Sequence, residues 1–128
     1  MAELAHCLMD RTVLIVEDDA LIAIGLTSYL ESLGSKVRWE TNVASALSYM
    51  AKGNAIDIAI VDLNLDGIMS DPVLDSLIAE GVFTIVCTGY EEGSIEERFR
   101  SLPRSEKPFT RAKIRQLITS GVRRQVAH

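Results

Sequence analysis

The chain is short of the residue types that announce several specialised classes. Its two cysteines, Cys7 and Cys87, form neither a disulfide framework nor a metal-spaced pair, and both read as free thiols in a reducing compartment. Its two histidines, His6 and His128, lie in the terminal segments, so zinc would lack its usual nitrogen donors. Prolines number three, and no low-complexity linker or internal repeat interrupts the chain. No apolar run approaches the roughly 20 residues that a membrane helix needs. The opening MAELAHCLMD lacks the basic start and small-residue cleavage site of a secretory signal. Basic charge is scarce too: 13 Lys and Arg against 18 Asp and Glu leave a net charge of -5, with no field to draw nucleic acid or an anionic bilayer. The expectation is a cytoplasmic chain with neither nucleic acid nor membrane as a direct partner.

What remains is enough for one packed core. Apolar residues make up 48% of 128 positions and charged ones 24%, the profile of a globular chain of one-domain size. The spacing predicts β-rich runs at Thr12–Val16, Lys36–Trp39, Ile56–Val61 and Val82–Cys87, and a weaker fifth at Leu102–Ser105. The first, third and fourth are nearly unbroken Val/Ile runs, as parallel strands covered on both faces require. Between the first two, Ile22, Leu26, Tyr29, Leu30 and Leu33 fall on one helical face, with Gly34 placed to end the helix. Asn42 is suited to cap a helix over Val43–Lys52, carrying Ala46, Leu47 and Met50 inward. Asp71 and Pro72 suit the cap and first turn of a third helix ending at Ala79. Tyr90–Arg100 offers only Ile95 and Phe99 as buried candidates and predicts a short or irregular helix. A last helix, Thr110–Val126, turns Ile114, Leu117, Ile118 and Val122 to one side.

Strand and helix alternating in this way imply a doubly wound α/β fold with a parallel sheet and helices on both faces. Such folds bind ligands beyond the carboxyl ends of the central strands. At those ends stand Glu17, Asp18 and Asp19, then Asp62, Asn64 and Asp66, then Thr88-Gly89-Tyr90, then Lys107-Pro108. Carboxylates gathered in one crevice repel each other unless a cation lies between them. An all-oxygen set suits magnesium. A hydroxyl and an ammonium at the same edge can hold two oxygens of an anion carried on a carboxylate. Together these groups suggest a phosphoryl site.

VLIVEDD at 13–19, VDLNLDG at 61–67, CTGY at 87–90 and EKPF at 106–109, in that order, resemble the receiver domain of two-component response regulators. The resemblance spans nearly the whole chain and implies a flavodoxin-like five-stranded sheet of order 2-1-3-4-5. It implies Asp62 as phosphoacceptor, with Thr88 and Lys107 contacting the phosphoryl oxygens. The implied Mg2+ set is Glu17, Asp18, Asp62 and the backbone carbonyl of Asn64. The phosphodonor would be a histidine kinase or a histidine phosphotransfer protein, with a downstream protein partner reading the result. Such a domain is no dedicated enzyme, yet assists its own Mg2+-dependent phosphorylation and dephosphorylation. A cis Lys107-Pro108 bond is also implied. The expectation is a single receiver domain over residues 1–128 with no output domain. CTGY and a DLNL segment without a following proline are similar to a variant group of single-domain receivers in alphaproteobacteria. One departure is plain: Arg104 stands three residues before Lys107, where receivers carry Tyr or Phe, so the aromatic half of the usual switch is missing.

Simpler readings attach to several of these residues. Asp62 alone could punctuate a turn, Asp19 suits an N-cap, and Asp66-Gly67 suits a turn. Cys87 reads as a small buried hydrophobe, and Trp39 and Tyr49 as packing on the sheet flank. The basic side of the last helix, with Arg111, Lys113, Arg115, Arg123 and Arg124, reads as a solvated face. Two other functions compete with the phosphoacceptor. Arg104 and the irregular fourth segment suit an interaction module that works without phosphate. A phosphatase of the haloacid dehalogenase type would carry its nucleophile after the first strand with a second Asp two residues on. Here the acid follows the third strand, and that residue is Asn64.

Overall fold

The structure is a computed structural model that describes residues 8–89, 95–107 and 110–126. Expectations resting on His6, Cys7, Tyr90, the Lys107-Pro108 bond, the Val122 side chain and His128 lie outside the described residues. The element order is β1 (Thr12–Val16), α1 (Ala20–Ser32), β2 (Lys36–Glu40), α2 (Val43–Ala51), β3 (Ile58–Asp62), β4 (Asn64–Leu65), β5 (Ile68–Met69), α3 (Asp71–Ala79), β6 (Phe83–Thr88), β7 (Arg104–Glu106) and α4 (Arg111–Val126). A 3-10 turn, Glu97–Phe99, lies between β6 and β7. Five strands form one sheet in the order β2-β1-β3-β6-β7, every neighbouring pair parallel. Counting main-sheet strands along the chain, this is the expected 2-1-3-4-5.

The three apolar runs are the central strands, and all of β3, including Asp62, is buried. Their side chains alternate between two cores. On one face Leu14, Val16, Ala59, Val61 and Val86 pack with Ala46 and Met50 of α2 and Val73, Leu74 and Leu77 of α3. On the other, Val13, Ile15, Ile60 and Ile85 pack with Leu26 and Leu30 of α1 and Ile114 and Ile118 of α4. This period-two division requires strands covered on both sides.

The helix signals act as their chemistry requires. Asp19 caps α1, its carboxylate accepting from the amides of Leu21 at 2.9 Å and Ile22 at 3.3 Å. Asn42 caps α2 by accepting from Ser45 N at 2.8 Å. Two expectations are corrected. The third helix is preceded by Ser70, so Asp71 belongs to its first turn. The Ser70 hydroxyl does not cap; it donates to the Leu63 carbonyl at 3.1 Å, beside the Ser70 amide at 2.9 Å. The fifth strand begins two residues late, at Arg104, because Pro103 has no N–H and enters the ladder only as acceptor from Val86 N at 2.9 Å. Among the described residues of Tyr90–Arg100, the 3-10 turn is the only helical element, held by buried Ile95 and Phe99.

The β4–β5 hairpin was not foreseen. Its two-residue turn is Asp66-Gly67, both at positive φ, 53° and 86°, as a type I′ turn needs. Asn64 Oδ1 accepts from Gly67 N at 2.7 Å and locks it. Among the described residues, no helix is long and apolar enough to cross a membrane.

Candidate functional site

Three strands end at the same edge, and each delivers one part of the site. In the parallel register Val16 lies beside Val61, and Asp62 beside Cys87. Glu17 and Asp18 therefore emerge on one side of Asp62, and Thr88 on the other. The polar residues Glu17, Asp62 and Thr88 are nevertheless buried, at 2%, 3% and 7% exposure. Strand ends that carry buried carboxylates incur desolvation, and a packed α/β core supplies the rigidity that holds them there.

Carboxylate oxygens of Glu17, Asp18 and Asp62 all lie within 4.8 Å of one another. Into this group reaches Lys107, from just past β7. Its Nζ donates to Asp62 Oδ2 at 2.6 Å and to Glu17 Oε1 at 3.1 Å. Its backbone N–H donates to the Thr88 carbonyl at 2.8 Å, extending the β6–β7 pairing. The other Asp62 oxygen, Oδ1, accepts from Asn64 N at 3.2 Å.

The electrostatics follow from this crowding. Burial, and then the charge of Asp62, push the Glu17 carboxyl up to about 7, against the pull of Lys107 and the hydrogen bond from Asp19 N. For Lys107 burial favours the neutral form, but its hydrogen bond to Asp62 and the charges of Asp62 and Glu17 outweigh that and raise its pKa. Cys87, next to Asp62 across the ladder, has its thiol pushed up by burial and then by Asp62 and Glu17. It is a buried, unreactive hydrophobe, as its sequence context suggested.

A site so made fits a hard divalent cation. Its donors are all oxygen, they converge, and burial and the charge of Asp62 raise the pKa of one, Glu17. Asp18 is exposed, and among the described residues its carboxylate accepts no hydrogen bond, leaving it open to an ion. Across the hairpin Ser70 N donates to the Leu63 carbonyl, while the Leu63 amide donates to Cys87 O, so the pair next along, Asn64 and Met69, sits at a non-bonded position of the ladder. The Asn64 carbonyl is thereby not used by the ladder.

The structure brings together Glu17, Asp18, Asp62 and Lys107 in direct proximity, with Thr88 and Asn64 on adjoining chain. Arg104 is exposed at the start of β7. Sequence reasoning missed one contact: Trp39, read as flank packing, also donates its indole N–H to the Glu17 carbonyl at 2.7 Å. An aromatic residue one position before the end of an edge strand carries no sequence signal for such a bond.

Comparison with known proteins agrees with the geometry. Residues 13–119 match the family model of the response regulator receiver domain. The solution structure of SdrG from Sphingomonas melonis Fr1 is similar, at 36% identity over 94% of this chain and 95% of that one, with a TM-score of 0.67. The BeF3-activated conformation of SdrG, from Pseudomonas melonis Fr1, has 34% identity over 95% and 98%, with a TM-score of 0.70. The receiver domain of PhyR from Erythrobacter litoralis has 25% identity over 89% and 91%, with a TM-score of 0.75. A comparison with curated proteins gave no match.

Proposed function

From the premise that this chain belongs to the response regulator receiver domain family, we propose that it is a stand-alone receiver that accepts a phosphoryl group on Asp62. The donor is a phosphohistidine on a histidine kinase or a histidine phosphotransfer protein, and the result is relayed by phosphotransfer or by binding a protein partner in the cytoplasm. The observation that carries this reading is the setting of Asp62: a buried carboxylate with a lysine ammonium 2.6 Å from Oδ2 and two further acids within 4.8 Å.

The chemistry is nucleophilic displacement at phosphorus. A carboxylate oxygen of Asp62 forms the new O–P bond as the donor's N–P bond breaks, and the electron pair leaves with the imidazole. Burial keeps Asp62 from wandering, because β3 is paired on both sides. Lys107, already between Asp62 and Glu17, balances charge on the incoming oxygens, and the Thr88 hydroxyl supplies a donor from β6. Glu17, Asp18, Asp62 and the Asn64 carbonyl would hold Mg2+, which when bound neutralises charge on the transferring group. Release of the phosphoryl group to water uses the same residues.

Incubation with acetyl phosphate and Mg2+ tests the proposal. The expected product is one hydroxylamine-labile phosphoryl adduct per chain, absent from Asp62→Asn and from protein treated with EDTA. No adduct on the wild-type protein would refute it. A second reading, an interaction module that works without phosphate, draws on exposed Arg104 and on the 3-10 turn that stands among the described residues of the fourth segment. Partner binding that ignores both acetyl phosphate and Asp62→Asn would favour it.

A further inference from the structure

The cation reading above explains the acids but not what holds them in register. Glu17 and Asp18 lie just beyond β1, where the strand ladder has ended. Glu17 N donates to the Glu40 carbonyl at 3.1 Å, and Glu17 Oε1 accepts from Asp19 N at 3.2 Å. The Glu17 carbonyl accepts the indole N–H of Trp39 at 2.7 Å. That carbonyl belongs to the peptide unit joining Glu17 to Asp18, and a peptide unit is planar. Fixing its oxygen fixes the plane from which both acidic residues depart.

Trp39 is itself well anchored. It lies on edge strand β2 opposite Ile15 of β1 and packs, half-buried, on the core that contains α1. Its neighbour Glu40 is no rival ligand, because Arg38 pairs with the Glu40 carboxylate and stacks over Tyr49 at 4.9 Å. Strand β2 thus offers the acidic turn one main-chain acceptor and one side-chain donor, and spends its own carboxylate elsewhere.

We infer that Trp39 is a positioning residue of the cation site: its indole N–H holds the Glu17–Asp18 peptide so that both carboxylates face the ion together with Asp62. The inference rests on the proposed Mg2+ site. It concerns affinity for the ion, not the fold. One hydrogen bond of this kind, lost without loss of shape, corresponds to about a 3- to 10-fold change in an equilibrium constant.

The chain has a single tryptophan, so replacing tryptophan throughout by 3-benzothienylalanine alters this position alone. That analogue keeps the ring shape and exchanges the N–H for sulfur. Mg2+ affinity is measured by titration calorimetry on the intact chain, and the unfolding midpoint is measured without cation. The expected result is an Mg2+ Kd weakened about 3- to 10-fold, with Trp39→Phe weakened at least as much. A merely structural role would lower the midpoint and leave Kd unchanged in the isosteric protein, and that result would overturn the inference. Wild-type protein that binds no Mg2+ would overturn the cation reading and this inference together. Equal binding by wild-type and isosteric protein overturns this inference alone.

Discussion

Glu17→Gln isolates the charge that the crevice opposes. The amide keeps an oxygen for Asp19 N and Lys107 Nζ, now 3.2 and 3.1 Å away, but cannot ionise. The wild-type carboxyl is pushed up from 4.5 to about 7 in the folded protein, by burial first and Asp62 second. A carboxyl raised on folding favours the folded state below its unfolded pKa, and that contribution is lost as pH rises through the folded value. The shift is worth about 3 kcal/mol at about 1.4 kcal/mol per unit. Wild type should therefore lose about 3 kcal/mol relative to Glu17→Gln between roughly pH 4.5 and pH 7. For a chain of this size that is roughly 10 °C in midpoint. Urea or thermal unfolding at pH 5 and pH 8, without divalent ions, reads the difference directly. At pH 5 the two proteins should nearly coincide, and at pH 8 the variant should be the more stable. Saturating Mg2+ at pH 8 should close the gap. Unfolding free energies that differ by the same amount at both pH values would refute the reasoning.

Lys107→Met should destabilise the cation-free protein by about 1 to 3 kcal/mol at pH 8, because it leaves Asp62 and Glu17 buried without their counter-charge; added Mg2+ should recover part of the loss in the same unfolding assay. Gly121→Ala should cost about 1 to 3 kcal/mol despite alanine's better helix propensity, since a Cβ there would lie 2.1 Å from the Phe83 ring; Phe83→Leu in the same chain should restore part of it, read by urea midpoint. Gly67→Ala should cost about 1 to 2 kcal/mol, because φ is 86°, and should weaken Mg2+ binding by disturbing Asn64, read by calorimetry.

The sheet could be read from the sequence because its central strands are nearly unbroken apolar runs until they end. TVLIV, IAIV and FTIVC leave no other way to bury both faces, and the acids that follow them mark the edge at once. Glu17, Asp62 and Thr88 were legible as candidates for that reason, each directly following an apolar run, whereas Asp18 comes one residue later and Lys107 follows Arg104-Ser105-Glu106 and was marked by EKPF. The hairpin was not, since Asn64–Leu65 and Ile68–Met69 are two residues each, too short for any alternation to register. Asp71 was read as the cap because Asp before Pro is a strong cap signal, but the helix already includes Asp71, and the preceding Ser70 has its hydroxyl bonded to the Leu63 carbonyl. Gly121 gave no signal at all, being simply a glycine within a helix; only its contact with Phe83 explains the missing side chain.

The bond from Lys107 N to the Thr88 carbonyl joins, through main chain alone, the last residue of β6 and the residue just past β7 whose ammonium holds Asp62. Strand β7 has a neighbour on one side only. While that rung holds, a shift of Thr88 toward the crevice carries the backbone of Lys107 with it, and the outer strand is the one free to follow. Under the proposed phosphorylation of Asp62, this main-chain rung is the route from the site to the rim of the sheet, where Arg104 and not an aromatic ring begins β7.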